Sequence, residues 1–431
     1  MRSHTLITRY LAPVLFGLCA LLAACGGLGG GGGGTSATPT HVHVGHGTPR
    51  PTITPGGPTL TPKPTHTHAP TITPGGPTVT RGPTHTPGGP TRTPTPTILP
   101  GSVPQLFVRI AGNDGNDGLS PATAVQTLSR ALKMVAPGST VYVGPGQYSG
   151  MVTVHNVGGT SGFPLRLVAD TKGTHTGDAA GPVELNAGGA VSSMLIENST
   201  NVIVDGFTLT GAMPQVLPKK LTASAIELRA GSDHSTVRNC VIIGNGPADG
   251  MRIRASGVLV FNNLISNIFH GVEISGSVTG VTLINNTIAI SGATGISLTL
   301  NAGTAPSGTT LKNNIIQESH KVSIFVDQGP PTALQGYDSA FNLVFQPNFG
   351  TNQERDYLPI RARGANDIND DAQFVRSSGG DFHLKPTSPA IDAGDDNIDS
   401  TLLNELFMRS TTADGKPDKS PVDIGYHYPA R

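Results

Sequence analysis

The chain has 431 residues, no tryptophan, and aromatic residues at only 5%. Charged residues make up just 13%, and 28 Lys plus Arg balance 28 Asp plus Glu. This balance argues against a nucleic-acid binder, which carries a basic excess, and against a polybasic membrane-surface protein. The three cysteines are Cys19, Cys25 and Cys240. Cys19 falls in the export signal expected over residues 1–25 and Cys25 at its boundary, so Cys240 is expected to be the one thiol of the body, with no disulfide within it. Cys240 reads as a small buried apolar residue. P-loop, zinc-ligand and nucleotide fingerprints are all missing. Glycine (57 residues) and proline (36) are plentiful. Few charges, few aromatics and many turn residues fit turn-rich β structure better than a helical enzyme.

Residues 1–25 read as an export signal. Arg2 and Arg9 precede an apolar run from Leu11 to Ala24, too short for a membrane span of ~20 residues and suited to a signal core. Leu22-Ala23-Ala24-Cys25 resembles a bacterial lipobox. That resemblance implies lipidation of Cys25 and an exported protein anchored at the bacterial cell surface.

Residues 26–104 form a Gly/Thr/Pro-rich linker. PTITPGGPT occurs at 51–59 and again at 70–78, and HTPGGPT at 85–91. Such sequence buries too little apolar surface to offset its ordering entropy and is expected to be disordered. Its prolines favour an extended spacer. Six of the 14 histidines fall here, a compositional bias rather than a metal site.

The body repeats. VRNCVI, VFNNLI, LINNTI and LKNNII place Asn239, Asn262, Asn285 and Asn313 at spacings of 23, 23 and 28. Asp205 in IVDGFTL takes the corresponding place one coil earlier. A second series, AIELR at 225–229, GMRIR at 250–254, GVEIS at 271–275 and GISLT at 295–299, follows each Asn from Asn239 onward. Each coil therefore holds at least two short strands with turns between them, and such periods signal a solenoid. Alternation predicts an interior column of Ile226/Leu228, Met251/Ile253, Val272/Ile274 and Ile296/Leu298. The four asparagines are expected to form a structural ladder from coil to coil. Ahead of the coils, Val125, Leu128, Leu132 and Val135 mark one face of a short capping helix, with Thr123 and Gln126 at capping-box spacing.

These coils resemble the right-handed parallel β-helix superfamily that includes pectate lyases. VRIAGNDGNDGLSPATAVQTLSRALKMVAPGSTVYVGPGQYSG resembles the N-terminal segment of β-helix surface lipoproteins of the DUF1565 and choice-of-anchor Q type. DFHLKPTSPAIDAGDD at 381–396 and PVDIGYHYP at 421–429 resemble their C-terminal segment. The resemblance implies an all-β solenoid with an N-terminal cap over 105–150, coils over 151–345, and a packed C-terminal segment over 346–431. It implies a monomer whose partner is an extracellular, acidic polysaccharide, bound and cleaved by β-elimination. A non-catalytic surface or adhesion protein, with the β-helix as a rigid display scaffold, is the alternative.

Outward positions are where chemistry would sit. Glu227, Arg252, Glu273 and Ser297 form one outward column, and Arg229, Arg254, Ser275 and Thr299 the next. Lyase chemistry needs a cation for the uronate carboxylate and a base for the C5 proton. Arg252, Arg254 and His270 are the catalytic candidates, and Arg229, Arg254, Lys219, Lys220 and Glu273 the substrate-binding ones. Arg229 and Arg254, with no acidic neighbour in their column, are expected to form a positive patch with Lys219 and Lys220. The family's paired carboxylates and GHG motif are missing, and the ADGMRIR segment has Arg where a Lys base would stand. Three Asx-rich clusters could hold Ca²⁺ through oxygen: Asp114 and Asp117 with Asn113 and Asn116; Asp367, Asn369, Asp370 and Asp371; and Asp414, Asp418 and Asp423. None has EF-hand spacing, and Asx turns explain them equally well.

Overall fold

The computed structural model describes residues 104–214, 223–244, 247–330, 332–347 and 356–430. The signal, Cys25, nearly all of the linker, Lys219 and Lys220 lie outside the described residues.

Three short strands make each coil, one more than the sequence repeats require. All strands of the coils pair in parallel, as a right-handed β-helix demands. The first face stacks nine strands, from Gln105–Val108 to Asp338–Ala340. The second runs from Gly146–Ser149 to Leu343–Phe345, and the third from Val152–His155 to Tyr357–Leu358. Strands Leu264–Ser275 and Thr287–Thr299 bend round the corner between the second and third faces and join them into one sheet. The segment at 105–108 is already a coil strand, and the last coil closes beyond residue 345, at Tyr357–Leu358.

Short strands rich in Val, Ile and Leu suit this stack because alternate side chains point inward. Ile226, Leu228, Met251, Ile253, Val272, Ile274, Ile296 and Leu298 are fully buried and pair in register from coil to coil. The N-terminal cap is smaller than its sequence pattern suggests. Pro121–Thr123 is a 3-10 turn capped by Ser120, and α1 (Leu128–Ala131) is capped by Thr127, whose hydroxyl accepts from Arg130 N at 3.1 Å. Val125 instead makes a parallel bridge with Val108.

The Asn-Asn pairs at 262/263, 285/286 and 313/314, with Asn239-Cys240 before them and Phe341-Asn342 after, do two jobs at the corner between the first and second faces. The first member turns the chain: Asn239, Asn262, Asn285 and Asn313 have φ between 52° and 57°, a left-handed conformation that Asn tolerates better than other residues with a Cβ. The second member fills the interior. Asn263, Asn286, Asn314 and Asn342 are completely buried. The Asn263 amide donates to Asn286 Oδ1 at 3.0 Å, Asn286 to Asn314 at 2.9 Å, and Asn314 to Asn342 at 2.9 Å. Each also donates to a carbonyl of the preceding coil, such as Val260 O at 2.9 Å from Asn286. Each side-chain oxygen in turn accepts a backbone N–H of the coil before. The continuous interior ladder is thus one residue downstream of the column singled out by the repeat. Cys240 stands in its first slot, with Asn263 Oδ1 accepting from Cys240 N at 3.0 Å, and Asp367 closes it by accepting from Asn342 N at 2.7 Å. Asp205 aligns with Arg238, not Asn239, and pairs with it at 2.7 Å.

The turning asparagines dock the C-terminal segment. Asn262 accepts from His427 N at 2.6 Å and donates to His427 O at 3.0 Å. Asn313 does the same with Asp395, at 2.9 and 3.0 Å. Asn285 donates to Asp423 O, and Asn239 to Glu405 on α2 (Ser400–Leu406). Apolar clusters complete the seat: Phe374, Phe382, Ile424 and Tyr426 lie on Leu264, Ile315 and Leu343 of the second face, and Leu406 and Val422 on Phe261 and Ile284 of the first.

Three substitutions in these columns have defined expected effects. Asn286→Leu should cost about 3 kcal/mol or more, because several buried groups lose partners at once, while Asn285→Leu should cost about 1–3 kcal/mol. Cys240→Asn should leave stability unchanged or raised by extending the ladder toward Val204 O. Urea unfolding checks all three, and equal losses at 285 and 286 would remove the distinction between the columns. At the last coil, Asp356 is fully buried, accepts from Asn369 Nδ2 at 2.5 Å, and has its other oxygen unpartnered. Burial pushes its carboxyl up to about 6. A folded value raised above the unfolded one stabilises at low pH, and that contribution is lost as pH rises through about 6. Asp356→Asn should therefore stabilise the protein by on the order of 2–3 kcal/mol at about pH 8, with the advantage fading by about pH 4. A pH-independent difference would refute the assignment.

Candidate functional site

The C-terminal segment is seated on the later coils of the first and second faces, and among the described residues the charged columns lie on the third. Parallel register builds that site. Residues at the same place in successive coils lie one strand spacing apart, ~4.8 Å, so charged side chains form columns whose neighbours must be compatible.

The column expected to be an exposed Glu–Arg–Glu ladder is in register: Glu227 beside Arg252, Arg252 beside Glu273, Glu273 beside Ser297. It is not exposed. Glu227 is 5% accessible, Arg252 3% and Ser297 4%. Arg252 bridges Asp249, at 2.5 Å, and Glu273, at 3.1 Å. Charges this buried persist only when paired. These carboxylates keep the Arg252 guanidinium protonated, against the pull of burial and above its ordinary value. Arg252 is therefore a structural strut and cannot act as a base.

The neighbouring column corrects the expected positive patch. Arg229 and Arg254 do have an acidic neighbour, because register adds Glu197 ahead of Arg229 and His155 ahead of Glu197. Arg229 pairs with Glu197 at 3.3 Å and Glu227 at 3.1 Å, and Arg254 with Glu227 at 3.7 Å. Both remain part-exposed, but their charge is answered.

His270 is placed differently. It stacks in register on Asp249, whose Oδ1 accepts from the His270 backbone N–H at 3.3 Å and lies 2.9 Å from Nδ1. A carboxylate at Nδ1 draws the proton there, leaving the Nε2 lone pair free to accept one. Asp249 is buried and pinned by Arg252, so the pair is oriented. Phe269 is 39% exposed and meets the imidazole edge-on at 4.5 Å. The sequence repeats concealed Asp249, but the 21-residue step from Arg252 to Glu273 also connects Asp249 with His270.

At the corner between the second and third faces lies a groove, closed on one side by Ser377, Ser378, Gly380 and Phe382 of the C-terminal segment. One cavity of about 440 Å³ and another of about 500 Å³ share Asn267, Ile290 and Glu318. These three stack in register, all left-handed, with φ of 56°, 56° and 59°. For β-branched Ile290 that conformation costs roughly 1–3 kcal/mol, a strain that clusters at functional sites. Nothing in the repeat pattern announces it, since three unlike residues hold one backbone position. Gly292 and His320 extend the lining, and the Phe269 ring packs over Gly292.

The Asx clusters are mostly turns. Asp114 accepts from Gln126 N and Thr127 N, both at 2.9 Å, and Asp117 from Leu119 N at 3.1 Å. Asp414 is occupied by Thr412 and Lys416. Asp418 does meet other carboxylates, those of Asp392 and Asp423, within 4.8 Å, without Asp414. It also lies 2.8 Å from His427 Nε2, while Asp423 accepts from Thr411 and from Asp392 N. Burial, and then the charge of Asp418, raise the Asp423 carboxyl.

Comparison with known proteins agrees with the fold. The family model described as a right-handed beta helix region matches residues 188–336. No curated protein matches the sequence. Among solved structures, the chain is similar to pectate lyase Pel9A, at 14% identity and TM-score 0.44, over 69% of this chain and 94% of that one. It is similar to a rhamnogalacturonan lyase, at 13% and 0.41, over 56% and 73%. An alginate lyase from Paenibacillus sp. str. FPU-7 aligns at 14% and 0.39, over 56% and 87%. The family match covers the central coils of a right-handed parallel β-helix.

Proposed function

We propose that this protein binds an extracellular polysaccharide along the third face of its β-helix and cleaves it by β-elimination, with His270 as the base. The observation that carries this reading is the oriented Asp249–His270 pair on the third face, with the exposed Phe269 ring against the imidazole. A solenoid face bordered by a groove suits a chain polymer, because each coil repeats the same spacing along it. The closed pairing of Arg229, Arg252 and Arg254 favours a second reading, a rigid display scaffold whose charges only knit coils together.

Incubating the full chain with a panel of neutral and acidic polysaccharides, with and without Ca²⁺, separates the two. Retention of a polymer together with release of unsaturated ends is expected from the first reading. His270→Ala should keep retention and lose cleavage by ~10²–10⁴-fold, the usual worth of a positioned base. If no polymer is retained, the scaffold reading replaces it.

The lipobox-like Leu22-Ala23-Ala24-Cys25 supports a lipid anchor that holds the domain at the bacterial surface through the long linker. Cys25→Ser should release the protein to the medium or leave it unprocessed. Unchanged membrane fractionation, with no lipid label on the wild type, would reject the anchor.

A further inference from the structure

The groove at the corner between the second and third faces takes no part in the chemistry assigned to His270, so what it fits is independent of the polysaccharide reading. Its two cavities, of about 440 and 500 Å³, meet at Asn267, Ile290 and Glu318. Glu318 is the one carboxylate on the described walls, and neither lysine nor arginine lines them. His320 is the other titratable side chain there. Ile243, which is 44% exposed, Ile268, Ile290 and Phe382 make much of the wall apolar.

Among the described residues Glu318 makes no ion pair. Its Oε1 accepts from the Ser377 hydroxyl at 3.0 Å, which ties the carboxylate to the C-terminal segment, and Oε2 has no partner. The cations nearest in sequence to these two residues are engaged or placed elsewhere. Lys321 is exposed and lines neither cavity. Arg376 lies against Gly379, and its charge acts on Asp381. A concave wall with apolar flanks limits the water around a charge, so an unanswered carboxylate there attracts a cation more strongly than one on open surface.

Three features select the kind of cation. One carboxylate balances one positive charge, which favours a single cationic group over a diamine or polyamine. Ser377 already holds Oε1, and it competes with the planar guanidinium fork, which pairs best with both oxygens at once. A compact ammonium needs only Oε2. The isoleucines and Phe382 give an apolar stem a surface to lie on while its charged end reaches Glu318. The groove also runs through two cavities that share only three residues, more length than one aliphatic stem fills, and the surplus suits flanking peptide. We propose that this groove takes a lysine side chain of a partner polypeptide, with the ammonium on Glu318 Oε2 and the stem along Ile290.

The test titrates the full chain, at low ionic strength, with a capped pentapeptide that carries lysine between glycines, and with its arginine and norleucine counterparts. Ligand-observed NMR reads the binding. The lysine peptide should bind ~3-fold or more tightly than the arginine peptide and ~5-fold or more tightly than the norleucine peptide, with both margins shrinking as salt is added. Glu318→Gln keeps the side chain's size and should bring the lysine peptide down to the norleucine level. Ser377→Ala frees Oε1 and should narrow the gap between lysine and arginine, which loss of a merely structural contact does not do. His320→Gln, Lys321→Ala and Arg376→Ala should leave lysine binding in place or tighten it. Unfolding midpoints are measured for each variant, and the peptide ranking on Ser377→Ala carries the test if Glu318→Gln does not fold. Equal binding of the three peptides, or equal binding by the wild type and Glu318→Gln, overturns the site. Tighter binding of the arginine peptide overturns the selection for ammonium. Butylamine bound as tightly as the lysine peptide overturns the polypeptide partner. None of these readouts uses a polysaccharide, so their failure leaves the reading of the third face standing.

Discussion

The coil-to-coil amide ladder is the constraint on which the rest depends. Asn263, Asn286, Asn314 and Asn342 sit in a fully buried column, where an unsatisfied amide would cost more than its hydrogen bonds return. Each is satisfied only if the next coil lies one strand spacing away and in exact register, so the ladder sets the register of all three faces at once. Once register is set, every outward side chain has its neighbours chosen for it.

This explains why the third face is not the cationic surface that its arginines suggest. Stacking puts Arg252 between Glu227 and Glu273, and Arg229 after Glu197. A column of like charges at that spacing would destabilise the sheet, so the arginines exist alongside the carboxylates that answer them. His270 escapes this closure. One carboxylate, Asp249, engages its Nδ1 side at 2.9 Å.

The C-terminal segment uses the same corner from outside. The left-handed asparagines turn the chain and point their amides outward, where His427, Asp395, Asp423 and Glu405 meet them. One column of residues thus turns the coil and also seats the segment that packs on the later coils of two faces. Among the described residues the third face carries the polar columns, and the left-handed positions at its corner with the second face meet the C-terminal segment through Ser377 and Glu318.

The sequence by itself determined the architecture. Repeats of 23 and 28 residues with alternating aliphatic positions allow little else than stacked parallel coils, and the inward columns are legible because burial enforces a period of two. It also marked the corner asparagines, though which of each pair enters the core depends on the left-handed turn that swings one side chain out and the next in. The third strand of each coil was hidden by its low repetition. Tertiary structure alone decided the site. Arg229 and Arg254 read as free cations until register supplied Glu197 and brought Glu227 within reach. Asp249 reads as a loop residue until one coil's step sets it against His270. The strain at Ile290 has no sequence signature, because a left-handed bulge repeated through Asn267, Ile290 and Glu318 is a property of stacked backbones rather than of any residue type.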